Sequence, residues 1–139
     1  MYQNILLAAD GSAHSFRAAE QAIHLAKGNP EAKVVILYVV DSETSKSDVL
    51  RNLDTKVIDE RRLEKMGTIE KVARESGINY EIKIIHGDPG PSIVAYANDN
   101  KFDVILIGSR GLNALQEFVL GSVSHKVAKR ANCPVMIVK

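Results

Sequence analysis

Residues 108 to 122 read Gly-Ser-Arg-Gly-Leu-Asn-Ala-Leu-Gln-Glu-Phe-Val-Leu-Gly-Ser. Gly108 and Gly111 lie three apart, and nine residues then separate Gly111 from the pair Gly121-Ser122. Residue types of this kind suit an anion. A glycine backbone lets N–H groups approach phosphate oxygens closely. Arg110 adds a planar, charged donor fork. Gly121 and Ser122 open a helix, whose free N–H groups and dipole favour negative charge. Ser122 and Ser124 bring hydroxyls. The same spacing also fits a surface loop in which the glycines serve turns and Ser122 is an ordinary N-cap. Position decides between the two. The run follows an apolar segment, Asp103 to Ile107, and a strand end leading into a helix N-terminus is where α/β proteins hold phosphates.

A helix dipole supplies at most ~2 kcal/mol, whereas micromolar binding requires about 8 kcal/mol. A nucleotide therefore needs a base and sugar site as well. Asp10, at the end of the first apolar segment, can accept from ribose hydroxyls, or it can cap the helix that follows. The Val39 backbone can meet the edge of a base in an apolar slot. Set beside the glycines at neighbouring strand ends, these two residues point to an adenine nucleotide. Asp10 could also help hold Mg²⁺, which a polyphosphate would bring, although one carboxylate does not define a metal site.

These residues need elements to position them. Ile5 to Ala9 and Lys33 to Val40 are continuous apolar runs, as expected of strands buried on both faces. Asp10-Gly11-Ser12 breaks the first. A helix follows to about Lys27, with Phe16, Ala19, Ala22, Ile23 and Ala26 on one face, and Gly28-Asn29-Pro30 stops it. Residues 42 to 54 are polar and mixed, and read as a loop with a short helix in it. Helical spacing returns from Thr55 to Glu75 with a stripe of Leu63, Met66, Ile69, Val72 and Ala73. The charges Asp59-Glu60-Arg61-Arg62 fall off that stripe and read as a solvated face. Tyr80 to His86 alternates at first, as a strand near a sheet edge would. Gly87-Asp88-Pro89-Gly90-Pro91 reads as a turn leading to a short helix over Ser92 to Asn98. A fourth strand covers Asp103 to Ile107, a last helix Ser122 to Ala131 and a last strand Pro134 to Val138. Strict alternation of strand and helix argues a parallel sheet with helices on both faces. Such sheets bind ligand at the carboxyl ends of their strands. There the order gathers Asp10, Val39 to Asp41, His86 to Asp88, and Gly108 onward.

Length and charge bound the function. At 139 residues the chain reads as one domain, residues 1–139. Its 18 basic and 17 acidic residues leave a net charge of +1. That balance, with no basic run interleaved with aromatics, argues against a nucleic-acid face. The single Cys133 excludes an intramolecular disulfide and reads as a small buried thiol. No signal-peptide pattern or membrane-length apolar run is present, so the expected compartment is the cytoplasm, with no membrane partner.

The whole chain resembles the universal stress proteins of the small, single-domain, ATP-binding type. The likeness rests on Ala9-Asp10-Gly11-Ser12 after the first strand, Tyr38-Val39-Val40-Asp41 at the end of the second, and Gly87-Asp88-Pro89 after the third. It rests further on Gly108-Ser109-Arg110-Gly111 with Gly121-Ser122-Val123-Ser124, and on Cys133-Pro134-Val135 before the last strand. The resemblance implies an open, doubly wound, five-stranded sheet of order 3-2-1-4-5, of the Rossmann-like nucleotide-binding α-hydrolase type. It implies ATP, with ADP or AMP as alternatives. Asp10 and Val39 would meet the adenosine and Gly108, Gly111, Gly121 and Ser122 the phosphates, with Arg110 and Ser124 as helpers. It also implies a homodimer in which the last strands, Val135 to Val138, pair across a two-fold axis. An apolar terminal strand that would otherwise be an exposed edge agrees with that.

No catalytic set stands out. His14, His24, His86 and His125 are scattered without metal-ligand spacing. His24 reads as structural, His125 as an exposed helical residue, and His86 as either a base-pocket lining or a plain strand end. Neither a G-x4-G-K-[S/T] run nor a G-x-S-x-G elbow occurs. The expectation is a nucleotide-dependent stress-response regulator, in which bound nucleotide orders residues 112 to 120 and alters a partner surface. A slow ATPase or nucleotidyl-transferring relative is the alternative, and a structural adaptor with an empty pocket is a third reading that the intact glycine motif argues against.

Overall fold

The computed structural model describes residues 2–40, 55–109 and 121–139, with backbone alone for 55–63 and 65. Five parallel strands form the sheet: β1 (Asn4–Ala9), β2 (Lys33–Val40), β3 (Asn79–His86), β4 (Val104–Gly108) and β5 (Val135–Val138). Among the described residues four helices connect them: α1 (Ala13–Lys27), α2 (Thr55–Ser76), α3 (Pro89–Asn100) and α4 (Ser122–Arg130). The sheet order is β3-β2-β1-β4-β5, a Rossmann-like arrangement and the one the resemblance implied.

The apolar runs of β1, β2 and β4 are continuous because both faces of these strands are covered. Ile5, Leu7, Val34, Ile36, Val104 and Leu106 pack under α1 and α2 with Ala19, Ala22, Met66 and Ile69. Leu6, Ala8, Val35, Leu37, Ile105 and Ile107 pack on the other face under α3 and α4 with Ile93, Ala97 and Val127. This is the period-two alternation of a strand, applied twice. Burial at roughly 25 cal/mol per Å² of apolar surface makes these two layers the main source of stability.

The β3 strand is an edge, as its alternating pattern suggested. Lys33 Nζ and Lys83 Nζ flank the Glu81 carboxylate there. The hydrogen bond from Lys33, and then that from Lys83, hold the Glu81 carboxyl at about 2. Charges on an edge strand discourage pairing with a foreign chain. The opposite edge, β5, has half-buried apolar residues along its length.

The structure shifts several boundaries. Helix α3 begins at Pro89 rather than Ser92, because proline costs nothing in a first turn whose N–H groups have no intrahelical partner. Strand β4 runs one residue further, through Gly108, which pairs with Val138. Within α1 the buried stripe is Ser15, Ala18, Ala19, Ala22, Ile23 and Ala26, and Phe16 is half-buried at its margin. His24 is exposed in the last turn of α1, a correction to the structural reading. Cys133 is half-buried, packed against the α3–α4 face, and burial pushes its thiol up. The short helix expected within 42–54 and the charges of Asp59 to Arg62 lie outside the described residues and side chains.

Candidate functional site

The sheet order reverses at β1. From there the chain winds outward through β2 and β3, then returns to lay β4 on the other side of β1. The carboxyl ends of β1 and β4 are therefore adjacent, with the register running from Ile5↔Val104 to Ala8↔Ile107. At such a switch point the two following loops diverge to opposite faces and leave a crevice.

The first loop is built by short polar side chains. Asp10 Oδ1 accepts the Ser12 N–H at 2.9 Å, a turn that mimics a backbone turn. Gly11 sits between them at φ 85°, a conformation open to glycine and strained for other residues. Ser12 is the N-cap of α1, its Oγ accepting from Ser15 N–H at 3.1 Å. The Asp10 N–H donates to Ser15 Oγ at 3.1 Å. The cap is thus Ser12, and Asp10 orients it with one carboxylate oxygen. Asp10 Oδ2 takes no partner among the described residues, and the residue is half-buried.

The β4 end meets this loop directly. A β-carbon at Gly108 would lie 2.7 Å from His14 Cβ and 2.9 Å from the His14 carbonyl carbon. Only glycine lets the first turn of α1 pack so closely on the strand. The next residue is a junction. Ser109 Oγ hydrogen-bonds His14 Nδ1 at 3.1 Å, and Ser109 N–H donates to the Val138 carbonyl at 2.8 Å. The Ser109 carbonyl accepts both Gly121 N–H at 2.8 Å and Ser124 Oγ–H at 2.9 Å. One residue therefore ties α1, β5 and the start of α4 together. Sequence reasoning missed both Ser109 and His14. The only local signal was the place of Ser109 inside the glycine run.

Helix α4 starts at Gly121, whose φ of −60° and ψ of 151° are those of an N-cap, and among the described residues no side chain caps it. The first N–H groups of α4 therefore have no capping partner among the described residues, and Ser122 beside them is exposed. Ser124 differs from the expectation of an open hydroxyl donor. It is 2% exposed, and its Oγ–H is directed to the Ser109 and Gly121 carbonyls. Its part is to brace the turn. Arg110, Gly111 and residues 112–120 lie outside the described residues.

Val39 lies on the far side of the Asp10 turn. The β1–β2 ladder ends at Ala9↔Tyr38, whereas β2–β3 continues to Val40↔His86. The Val40 carbonyl accepts Gly87 N–H at 3.0 Å, towards β3. Successive carbonyls along a strand alternate sides, so that of Val39 points towards the β1 side, past the end of that ladder. Its side chain packs against the α3–α4 face. His86 ends β3 exposed, and His125 is exposed on α4, as its helical position suggested. Asp41 lies outside the described residues.

A cavity of about 260 Å³ opens beside the Asp10 turn, lined by Gly11, Ser12, Ala13, Phe16, Thr68 and Ile69. It lies between α1 and α2 and shares none of its lining with β4 or α4. Among the described residues no three His, Cys, Asp or Glu side chains gather as a metal site. No described helix is long and apolar enough to cross a membrane.

The described residues of the crevice thus offer a helix N-terminus that none of them caps, a glycine at a strand end, a carboxylate and an outward carbonyl. The sequence and fold have close relatives. The model of the universal stress protein family matches residues 1–139. The universal stress protein YxiE of Bacillus subtilis is 34% identical over 149 residues, covering 100% of both chains. Among solved structures, the hypothetical protein MJ0577, the subject of a structure-based assignment of biochemical function, superposes with a TM-score of 0.86. It is 32% identical, over 100% of this chain and 96% of that one. A universal stress protein in complex with cAMP superposes with a TM-score of 0.72 at 25% identity, over 99% of this chain and 96% of that one. Motif, sheet order and family model agree along the whole length, and the chain belongs to the universal stress protein family.

Proposed function

We propose that this protein binds an adenine nucleotide, ATP or its di- and monophosphate relatives, and acts as a nucleotide-dependent stress-response regulator. The observation that carries the reading is the N-terminus of α4, which no side chain caps among the described residues and which is held beside the end of β4 at the switch point. A helix that leaves its first N–H groups open, next to a strand end lacking a side chain, fits an anion. The cAMP complex of a family relative supports an adenine nucleotide as that anion's carrier.

The donor set distributes the ligand. The open N–H groups after Gly121 and the Ser122 hydroxyl would hold phosphate, together with Gly108, Arg110 and Gly111. The Val39 carbonyl would accept from the amino group that distinguishes adenine from guanine at that edge. Asp10, with one oxygen committed to Ser12 and the other without a partner among the described residues, would accept from ribose hydroxyls. Mg²⁺ would arrive with the phosphates, which supply most of its ligands. Pairing of the apolar β5 edge with a second copy would complete a homodimer, and the working compartment would be the cytoplasm.

Isothermal titration with ATP, ADP, AMP and cAMP, with and without Mg²⁺, tests the reading, alongside release of co-purified nucleotide on denaturation. Saturable binding lost in Gly121→Val is the expected result. No heat, no thermal shift at millimolar nucleotide and no released nucleotide would overturn it.

A further inference from the structure

We propose that His14 is a positioning residue of this site. Through Ser109 it sets the placement of the first turn of α4, and thereby the affinity for nucleotide phosphate. The inference rests on the nucleotide-binding reading above for its consequence, but its structural half stands without a ligand.

His14 Nδ1 and Ser109 Oγ, 95 residues apart in sequence, stand 3.1 Å from one another. A serine hydroxyl both donates and accepts, so the bond forms with either neutral tautomer of the imidazole. Ser109 is also the residue whose carbonyl receives Gly121 N–H and Ser124 Oγ–H. Gly121 is in turn the N-cap of α4, and its carbonyl receives His125 N–H at 2.9 Å. The path from His14 to the open N–H groups is therefore one side-chain bond, one peptide and one backbone bond. Gly108 permits it, because any larger residue would push the His14 backbone away from the strand.

The geometry also explains why the first turn of α1 and the first turn of α4 are registered to one another. They lie on opposite faces of the sheet and share no core cluster. Ser109, at the end of β4, is the residue that reaches both. An alanine at position 14 would leave the Ser109 hydroxyl without its partner and loosen the peptide that anchors Gly121, which the bonds to Val138 and Ser124 would then hold alone.

The test compares His14→Ala, Ser109→Ala, the double variant and His14→Asn. The asparagine side chain places a polar atom at the same bond distance from the backbone as Nδ1. One hydrogen bond of ordinary net worth corresponds to a roughly fivefold loss of ATP affinity in His14→Ala. Ser109→Ala should lose a similar factor, the double variant no more than the worse single one, and His14→Asn should recover the affinity. In the nucleotide-free protein, hydrogen exchange of the Gly121 amide should quicken in His14→Ala and return to the wild-type rate in His14→Asn. Additive losses in the double variant, failure of asparagine to rescue, or an unchanged Gly121 exchange rate would each overturn the proposal. Absence of binding in the wild type would instead refute the nucleotide reading, and the exchange measurement would still judge the His14 link. If His14→Ala does not fold, Ser109→Ala carries both readouts.

Discussion

A β-carbon on Gly108 would stand 2.7 Å from the β-carbon of His14. No two such carbons tolerate that distance, so this pair fixes how closely α1 seats on β4. The glycine marks a contact between backbones as much as a place for phosphate. Gly108→Ala should destabilise the fold by about 1–3 kcal/mol, the usual cost of overpacking, because the nearest atoms are the His14 β-carbon and main chain, none of which can rotate away. Urea unfolding of the variant against the wild type measures this. A midpoint unchanged within error would show that α1 shifts freely.

Gly121 behaves differently, since its φ of −60° suits any residue. Gly121→Val should fold normally and lose at least tenfold in ATP affinity by crowding the open N–H groups. Gly121→Asp makes a sharper case. An aspartate N-cap stabilises a helix relative to glycine by a few tenths of a kcal/mol, while its charge repels phosphate at the same place. Stability should hold or rise as nucleotide affinity falls. Thermal melts with and without ATP separate the two effects, and parallel changes in both would contradict the assignment of this helix end.

Asp10 has two jobs on two oxygens. Asp10→Asn keeps an acceptor for the Ser12 N–H and should leave stability near the wild-type value. Asp10→Ala removes the turn bond and should cost about 1 kcal/mol. Both should weaken nucleotide binding through the lost ribose acceptor. Denaturation and titration of the two variants together check this, and equal stability of the pair would mean that the turn does not depend on the side chain.

Acid sensitivity should be legible at Asp103. Its Oδ2 accepts the N–H of Asn4 at 2.8 Å and of Gln3 at 3.0 Å. The Asn4 bond first and the Gln3 bond second hold the carboxyl below its ordinary 3.8. A depressed folded value means that the stabilisation is present above the unfolded value and lost as pH falls through the folded one. The wild type should lose stability below about pH 4, and Asp103→Asn should show a shallower decline over the same range. Denaturant midpoints from pH 6 to pH 2.5 measure the slope, and identical slopes would remove Asp103 from the account.

The sequence by itself determined the elements and their layering. Apolar runs such as Leu6 to Ala8 and Val34 to Leu37 are dictated by burial on both faces, and strand-helix alternation leaves a parallel sheet as the arrangement that covers them. It determined the chemistry on offer as well, because the glycines, Asp10 and Ser122 are set at the ends of those runs. Tertiary structure decided which of them meet. The inward turn of Ser124, the direction of the Val39 carbonyl and the bond between His14 and Ser109 have no local signature. Each depends on backbones brought together by the return of β4 beside β1. A helix periodicity records which side of a segment is apolar, but the partner of a half-buried polar side chain is chosen only when two distant strand ends close on the same crevice.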